Sequence, residues 1–166
     1  MRTNPALDID QAVNAKSKLG ALALFTAQGV PMLYAGQEFG EQSRKTIDTN
    51  KLHWERLNDG TWADLKNYCA SLAQLRAKNP ALTKNAVESI VVDNERKVIV
   101  FKRWDEGGNQ VVVGLNFSPA SQTLDVGFPR AGKWHEWTKD YDEELGEMTT
   151  KSVELPASGG KVWIAA

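Results

Sequence analysis

The chain has 166 residues, of which 42% are hydrophobic and 25% charged, a composition typical of a folded globular protein rather than a disordered tail. Its 20 Lys and Arg residues are balanced by 21 Asp and Glu residues, so the net charge of -1 provides no basic field for nucleic acid. The longest apolar-leaning stretch, Leu19 to Phe39, is interrupted by Gly, Pro and polar residues, so no membrane span is expected.

The sequence contains no pattern that predicts a secretory signal, an internal disulfide or a metal site. Met1 to Pro5 lack a basic region followed by an apolar run, so no secretory signal is predicted and the compartment is left open. Cys69 is the single cysteine, which excludes an internal disulfide, and we expect it to be a small buried hydrophobic residue. The spacing of His53 and His135 does not suggest metal binding, so neither a metal nor a cofactor is expected.

The first half of the chain is predicted to be helical with one inserted strand. An acidic start and an Ala- and Leu-rich body predict a helix from Asp10 to Ala27, ended by Gly29. The run Val30 to Tyr34 is apolar without alternation, which is typical of a strand covered on both faces in a parallel sheet. The polar stretch Gly36 to Gly60 has no periodicity and predicts a long, functional or disordered loop.

A second helix is predicted after this loop. Thr61 is its expected N-cap, with Asp64 three positions on, and the helix ends at Asn79-Pro80. Its apolar face repeats at helical spacing through Leu65, Tyr68, Leu72 and Leu75. A boundary near Pro80 to Asn85 divides the chain into predicted domains at residues 1–82 and 86–166.

The second half is predicted to be a β domain with seven short strands separated by turn residues. They are expected at about Ala86–Val92, Lys97–Trp104, Gln110–Phe117, Gln122–Phe128, Lys133–Thr138, Lys151–Leu155 and Lys161–Ala165. Val98 to Phe101 and Val111 to Val113 are apolar on both faces and are expected to lie centrally. The acidic run Asp140 to Glu144 is interpreted as a solvated loop. This pattern indicates an antiparallel sandwich or Greek-key domain.

Several segments resemble the alpha-amylase family of glycoside hydrolases, in the order in which that family has them. Gly29 to Gly40 (GVPMLYAGQEFG) resembles the eighth barrel strand and its following loop, and Leu52-His53-Trp54 resembles a short motif of that loop. Leu72 to Leu82 is similar to the last barrel helix. Val98 to Arg103 and Val111 to Ser118 resemble parts of the C-terminal all-β domain.

The resemblance implies an α+β fragment, in which the last β/α unit of a TIM-type barrel precedes an antiparallel β-sandwich domain. The family's catalytic carboxylates lie in motifs that precede the helix at Asp10 to Ala27, so no catalytic residue is expected in this chain. The chain is thus expected to be the C-terminal part of a longer enzyme acting on starch or glycogen. Gln37 to Gly40 and Gly132 to Trp134 also resemble glycogen branching enzymes, which leaves hydrolysis and branching both open.

The candidate substrate-binding residues follow from the same resemblance. Gln37 and Glu38 would line the substrate rim of a complete barrel, with anchoring of the loop by hydrogen bonds as an equal alternative. His53 and Trp54 would border a sugar subsite, although Trp54 could instead pack the loop onto the body. Glu38 and Glu41 are disfavoured as an acid and nucleophile pair, because no rigid cleft is evident to separate their pKa values.

Two tryptophans of the β domain are candidates for stacking on a glucan ring. Trp134 and Trp137 would face opposite sides of the strand at Lys133 to Thr138, so at most one of them is expected in the core. A stand-alone carbohydrate-binding module is therefore an alternative function, and a small hydrolase using Glu38 is a third. The expected partners are an α-glucan, the preceding part of the barrel, and a second copy of the chain.

Overall fold

A computed structural model of the chain describes residues 9–43, 46–47, 50–146 and 150–166. The first half contains the helices α1 (Ile9–Thr26), α2 (Gly60–Lys78) and α3 (Pro80–Thr83), with short 3-10 helices at Gln37–Phe39 and Trp54–Asn58. The second half contains the strands β1 (Val87–Asp93), β2 (Val98–Trp104), β3 (Gln110–Asn116), β4 (Gln122–Gly127), β5 (Gly132–Glu136), β6 (Tyr141–Leu145), β7 (Thr150–Leu155) and β8 (Gly159–Ala165).

The strands form two antiparallel sheets. One is six-stranded, in the order β1-β2-β3-β8-β5-β6, and the other pairs β4 with β7. The strand β8, although last in chain order, therefore lies in the interior of the large sheet, with β3 on one side and β5 on the other. The chain is an α+β protein in which the β half forms a two-sheet structure, as the sequence predicts.

Both faces of the large sheet are covered. Along β2, Val98 and Val100 contact the core facing the small sheet, whereas Phe101 belongs to the core facing the helices. The same alternation occurs on β3, where Val112 faces the small sheet and Val113 faces the helices. These apolar runs on β2 and β3 lie inside the sheet, so their predicted central position is confirmed.

The core facing the helices is built from both halves of the chain. Its fully buried members include Leu22 of α1, Leu72 of α2, Leu82 of α3, Val113 of β3 and Val162 of β8. The segments 1–82 and 86–166 therefore share one apolar core, and the predicted domain boundary between them stays a prediction. Because burial of each such side chain stabilises the fold by about 1.5–3 kcal/mol, this core holds α1 against the sheet and α2 against α1.

The predicted strand at Val30 to Tyr34 is not formed among the described residues. Val30, Met32 and Tyr34 are 93%, 79% and 58% exposed, while Leu33 packs against the core. An extended segment becomes a strand only when a neighbour pairs with its backbone groups, and no described strand lies beside this one. The predicted last β/α unit of a barrel is therefore not confirmed, because its strand is not formed among the described residues.

Two further predictions are wrong. The acidic run Asp140 to Glu144 is not a solvated loop, because it forms most of β6, where Asp142 pairs with Lys133 at 2.6 Å and with His135 at 2.9 Å. These cross-strand bonds compensate the negative charge of the edge strand. At the start of α2 the N-cap is Asp59, whose side chain accepts a hydrogen bond from the Thr61 N–H at 2.8 Å.

Candidate functional site

A buried carboxylate, that of Glu41, closes the long loop before α2. Its side chain is 3% exposed and accepts hydrogen bonds from the Ser43 N–H at 2.8 Å, the Ser43 hydroxyl at 2.7 Å and the His53 N–H at 2.7 Å. The His53 ring lies 3.2 Å from the same carboxylate. The His53 backbone N–H, followed by the Ser43 donors, holds the pKa of Glu41 well below its usual range. Glu41 is therefore ionised at neutral pH and joins the two ends of the segment 41–53.

Trp54 is an exposed aromatic side chain that is held in place by contact with a buried residue. It is 57% exposed, and its ring packs against the fully buried Phe39 with centroids 5.0 Å apart. Arg56 lies with its guanidinium 4.3 Å from the Trp62 ring centroid and donates to the Phe39 carbonyl at 3.4 Å. One part of the Trp54 ring thus packs the loop against Phe39 in the core. The rest of the ring is exposed to solvent.

Gln37 and Glu38 both anchor the turn that follows the extended segment. The Gln37 Oε1 atom accepts a hydrogen bond from the Tyr34 N–H at 2.7 Å. The Glu38 Oε2 atom accepts one from the Gly36 N–H at 3.0 Å. The anchoring role that the sequence suggested is present, and a role in contacting sugar stays a prediction.

A cleft of about 570 Å³ lies between α1, the extended segment and α2. Val13, Ala21 and Leu24 of α1 form an apolar wall, whereas Gln37 and Glu41 line another part. His53 and Trp54 do not line this cleft. Of the four predicted rim residues, Gln37 therefore lines the cleft, whereas Glu38, like His53 and Trp54, does not.

The two candidate stacking tryptophans face opposite sides of the large sheet, as predicted. Trp134 is 0% exposed, packs edge-on against Phe128 at 5.2 Å, and donates its indole N–H to the Arg130 carbonyl at 3.2 Å. The suggestion that Trp134 stacks on glucan is wrong, because the small sheet covers that face. Trp137 follows β5, is half-buried, and packs against the Tyr68 ring with centroids 6.3 Å apart.

Two buried arginines bind backbone carbonyls and were not predicted from the sequence. Arg103 of β2 is 0% exposed and donates to the carbonyls of Thr26 at 2.6 Å, Ala86 at 2.9 Å, and also Leu82 and Lys84. Arg76 of α2 donates to the carbonyls of Phe25 at 2.7 Å, Ala27 at 2.9 Å and Gly29 at 2.5 Å. Burial lowers the pKa of both guanidinium groups, and the nearby Arg76 charge adds to the effect on Arg103. The signal for Arg103 was an Arg at an inward position of an apolar strand, and the signal for Arg76 was its position four residues after Leu72 on the apolar face of the helix.

The thiol and the other potential metal ligands offer no further site. Cys69 is buried, as predicted, and burial together with the Glu38 charge raises the pKa of its thiol. Within the part of the chain that the structure describes, no three His, Cys, Asp or Glu side chains cluster to hold a metal ion. In that same part, no helix combines the length and apolar character of a membrane span.

The all-β half of the chain matches a known domain. Residues 90–165 match the family described as alpha amylase, C-terminal all-beta domain. This half of the chain is therefore similar to the C-terminal all-β domain of alpha-amylases. The resemblance to alpha-amylases that the sequence motifs predicted is therefore confirmed, and the two-sheet structure of β1 to β8 is the fold of an alpha-amylase C-terminal domain.

Relatives extend the similarity beyond the alpha-amylase C-terminal domain. The alpha-amylase MalA of Haloarcula japonica is 35% identical over 118 residues, which is 68% of this chain and 16% of MalA. The 1,4-alpha-glucan branching enzyme GlgB of Paraburkholderia xenovorans is 28% identical over 120 residues, again 68% of this chain and 16% of the relative. Each of these relatives is thus far longer than the matched part of this chain.

A solved structure supports the fold of both halves. The alpha-amylase of Geobacillus thermoleovorans, solved in complex with acarbose, superposes with a TM-score of 0.75 at 21% sequence identity. The superposition covers 91% of this chain and 33% of that structure. The helices before the alpha-amylase C-terminal domain are therefore part of the shared architecture.

Proposed function

We propose that the chain is the non-catalytic C-terminal part of an enzyme that hydrolyses or rearranges α-glucans. The observation that carries this proposal is the match of residues 90–165 to the alpha-amylase C-terminal domain, combined with coverage of only 16% of the related amylase and branching enzyme. In this proposal the chain supports a catalytic barrel and forms part of its rim, and an α-glucan is the substrate of the complete enzyme.

Exposed apolar residues on one side of the chain support the proposal that another part of a longer protein covers this surface. Exposure alternates along the extended segment, because Val30, Met32 and Tyr34 face solvent while Pro31 and Leu33 are half-buried. This alternation is the pattern of a strand with one face on its own helix and the other on an absent neighbour. Val13, 37% exposed on α1, adds to the same apolar surface. We propose that the preceding part of a barrel covers it.

The carboxylates near the cleft support a non-catalytic role. A retaining glycosidase needs one carboxylic acid and one nucleophilic carboxylate about 5–5.5 Å apart. Glu41 is ionised and already bonded to Ser43 and His53, so it provides neither a proton nor a free nucleophile. Glu38 bonds the Gly36 N–H of its own turn. Neither Glu41 nor Glu38 is therefore arranged to act as the acid or the nucleophile of glycoside hydrolysis.

The rim residues retain a proposed role in the complete enzyme. Gln37 and Glu38 follow the extended segment at the end where a barrel presents its substrate residues. Trp54 is an exposed aromatic of this region, and its firm contact with Phe39 suits it to border a sugar subsite beside His53.

The test is an activity assay of the chain with soluble starch, glycogen and maltooligosaccharides. We expect no release of reducing sugar and no change in chain length, because neither Glu38 nor Glu41 is arranged as an acid or a nucleophile. The variant Glu38→Gln should be indistinguishable from the unaltered chain. Turnover that Glu38→Gln abolishes would contradict the proposal and support the small-hydrolase alternative.

A further inference from the structure

A second groove lies on the chain, between the C-terminal half of α2 and the end of the large sheet. It has a volume of about 490 Å³, within the range of about 300–1,000 Å³ that is typical of ligand sites. The residues that matter for its chemistry are Gln74, Lys78, Asn79, Trp137, Asp140 and Ile164. It shares no lining residue with the cleft at α1.

Trp137 gives this groove an aromatic surface that is already fixed in place. Its backbone N–H donates to the Val162 carbonyl at 2.8 Å, and its ring packs on Tyr68. The Tyr68 ring is itself contacted by Lys18, whose Nζ lies 5.4 Å from the ring centroid. Because the indole is ordered before any ligand arrives, binding against it costs little conformational entropy.

Hydrogen-bonding groups surround the indole. Gln74 and Lys78 lie one helical turn apart on the exposed side of α2, and neither makes a hydrogen bond or ion pair within the described residues. Asn79 donates its amide N–H to the Leu75 carbonyl at 2.6 Å, which leaves its amide oxygen as an acceptor. The Asp140 side chain is 93% exposed and lies 3.6 Å from the His135 ring. The groove thus offers both donors and acceptors.

This combination selects the chemical class of the ligand. A pyranose ring has an apolar face that packs on an aromatic ring, and hydroxyl groups at its edge that both donate and accept hydrogen bonds. Lys78 is positively charged and Asp140 is negatively charged, so these two side chains give the groove no net charge that would attract an anion. The groove therefore favours a neutral polyhydroxylated ligand. We propose that the groove binds a glucose unit of an α-glucan, with one face of the sugar on Trp137 and its hydroxyls on Gln74, Lys78 and Asp140.

This site would hold a glucan chain away from the rim residues. The choice of an α-glucan as the ligand rests on the proposed function, whereas the residues of the groove all belong to this chain. A C-terminal part that binds glucan itself would keep a polymeric substrate near the enzyme and raise its effective concentration. The proposal therefore assigns the chain a binding function of its own.

The test is a titration of the full chain with maltoheptaose. Binding is measured by calorimetry and by the changes of the indole N–H signals in a ¹H–¹⁵N spectrum. We expect saturable binding and a shift of the Trp137 indole signal. The variant Gln74→Ala, at an exposed helix position that leaves the fold intact, should weaken binding by about two- to tenfold. Trp137→Phe should weaken it by a similar factor.

Matched controls separate this site from others. Gln11→Ala changes an exposed glutamine of α1, and Trp104→Phe changes a half-buried tryptophan of β2; neither should alter the affinity. The proposal is overturned if maltoheptaose does not bind. It is equally overturned if Gln74→Ala and Trp137→Phe bind maltoheptaose as tightly as the unaltered chain does, and a loss of affinity in Trp54→Ala would then place the site at Trp54.

Discussion

Arg76 and Arg103 both donate hydrogen bonds to carbonyls at the C-terminus of α1, the first from α2 and the second from β2. Two guanidinium groups thus neutralise the negative end of the α1 dipole and satisfy carbonyls that the helix leaves unpaired. Since one arginine belongs to each half of the chain, α1 is fastened to both the helical layer and the sheet.

Replacing Arg103 with Lys should destabilise the whole chain. Lysine keeps the charge but lacks the planar fork that reaches the carbonyls of Thr26, Leu82, Lys84 and Ala86. We expect a loss of about 3 kcal/mol in the free energy of unfolding, measured by urea denaturation. The neighbouring Lys102→Met removes a partly exposed ion pair with Glu88 and should cost less than about 1 kcal/mol. Equal losses for the two variants would contradict this role of Arg103.

Gly160 is predicted to be intolerant of any side chain. A Cβ atom there would lie 2.5 Å from the Gly114 carbonyl oxygen and 2.8 Å from a Leu22 methyl group, so β3 and β8 would have to separate. We expect Gly160→Ala to destabilise the chain by about 1–3 kcal/mol. At Gly127, where an added Cβ atom would meet no other atom within 4 Å, the same change should be nearly neutral or slightly stabilising. Thermal unfolding of both variants measures the difference.

The loop held by Glu41 should respond to acid. Its pKa is lower in the folded chain than in the unfolded chain, so the stabilisation is present above about pH 4.3 and is lost as pH falls towards the folded pKa. The carboxyl carbon chemical shift of Glu41 should therefore titrate below about pH 4.3. At neutral pH, Glu41→Gln should speed amide exchange at Ser43 and His53 while leaving β2 and β3 protected. A titration at or above the ordinary glutamate value would refute the assignment.

The exposed segment before Gln37 should cause the isolated chain to self-associate. Val30 and Met32 present exposed apolar side chains on an extended backbone that no described strand lies beside, which is a template for pairing with a second copy. Sedimentation velocity should show a dimer that Met32→Glu weakens. Val92→Glu, at a 60% exposed position on β1, is the matched control and should leave the dimer intact. A monomer at every concentration tested would argue against this surface as an interface.

The sequence predicted most of the strands because their pattern reflects local physics. On β4, Leu124 and Val126 are buried and Thr123 and Asp125 are exposed, as alternation requires. The strand at Tyr141 to Leu145 was missed because its stability depends on Lys133 and His135, which lie across the sheet and cannot be inferred from an acidic run.

The candidate site was less predictable, because exposure is a property of the assembled layers. Alternation placed Trp134 and Trp137 on opposite faces, but whether each face is covered depends on the packing of α2 and of the small sheet. The same reasoning applies to Glu41, whose role depends on two donors at Ser43 and His53 that only the folded loop brings together. Single-sequence patterns carry no information about such contacts.

The position of β8 between β3 and β5 has a consequence for biosynthesis. The residues Gly159–Ala165 are synthesised after every other strand, yet they join β1, β2 and β3 to β5 and β6. Until these residues have emerged from the ribosome, the large sheet exists only as two separate parts with open edges. Completion of the fold is therefore a late event, and loss of these few residues would leave two aggregation-prone half-sheets.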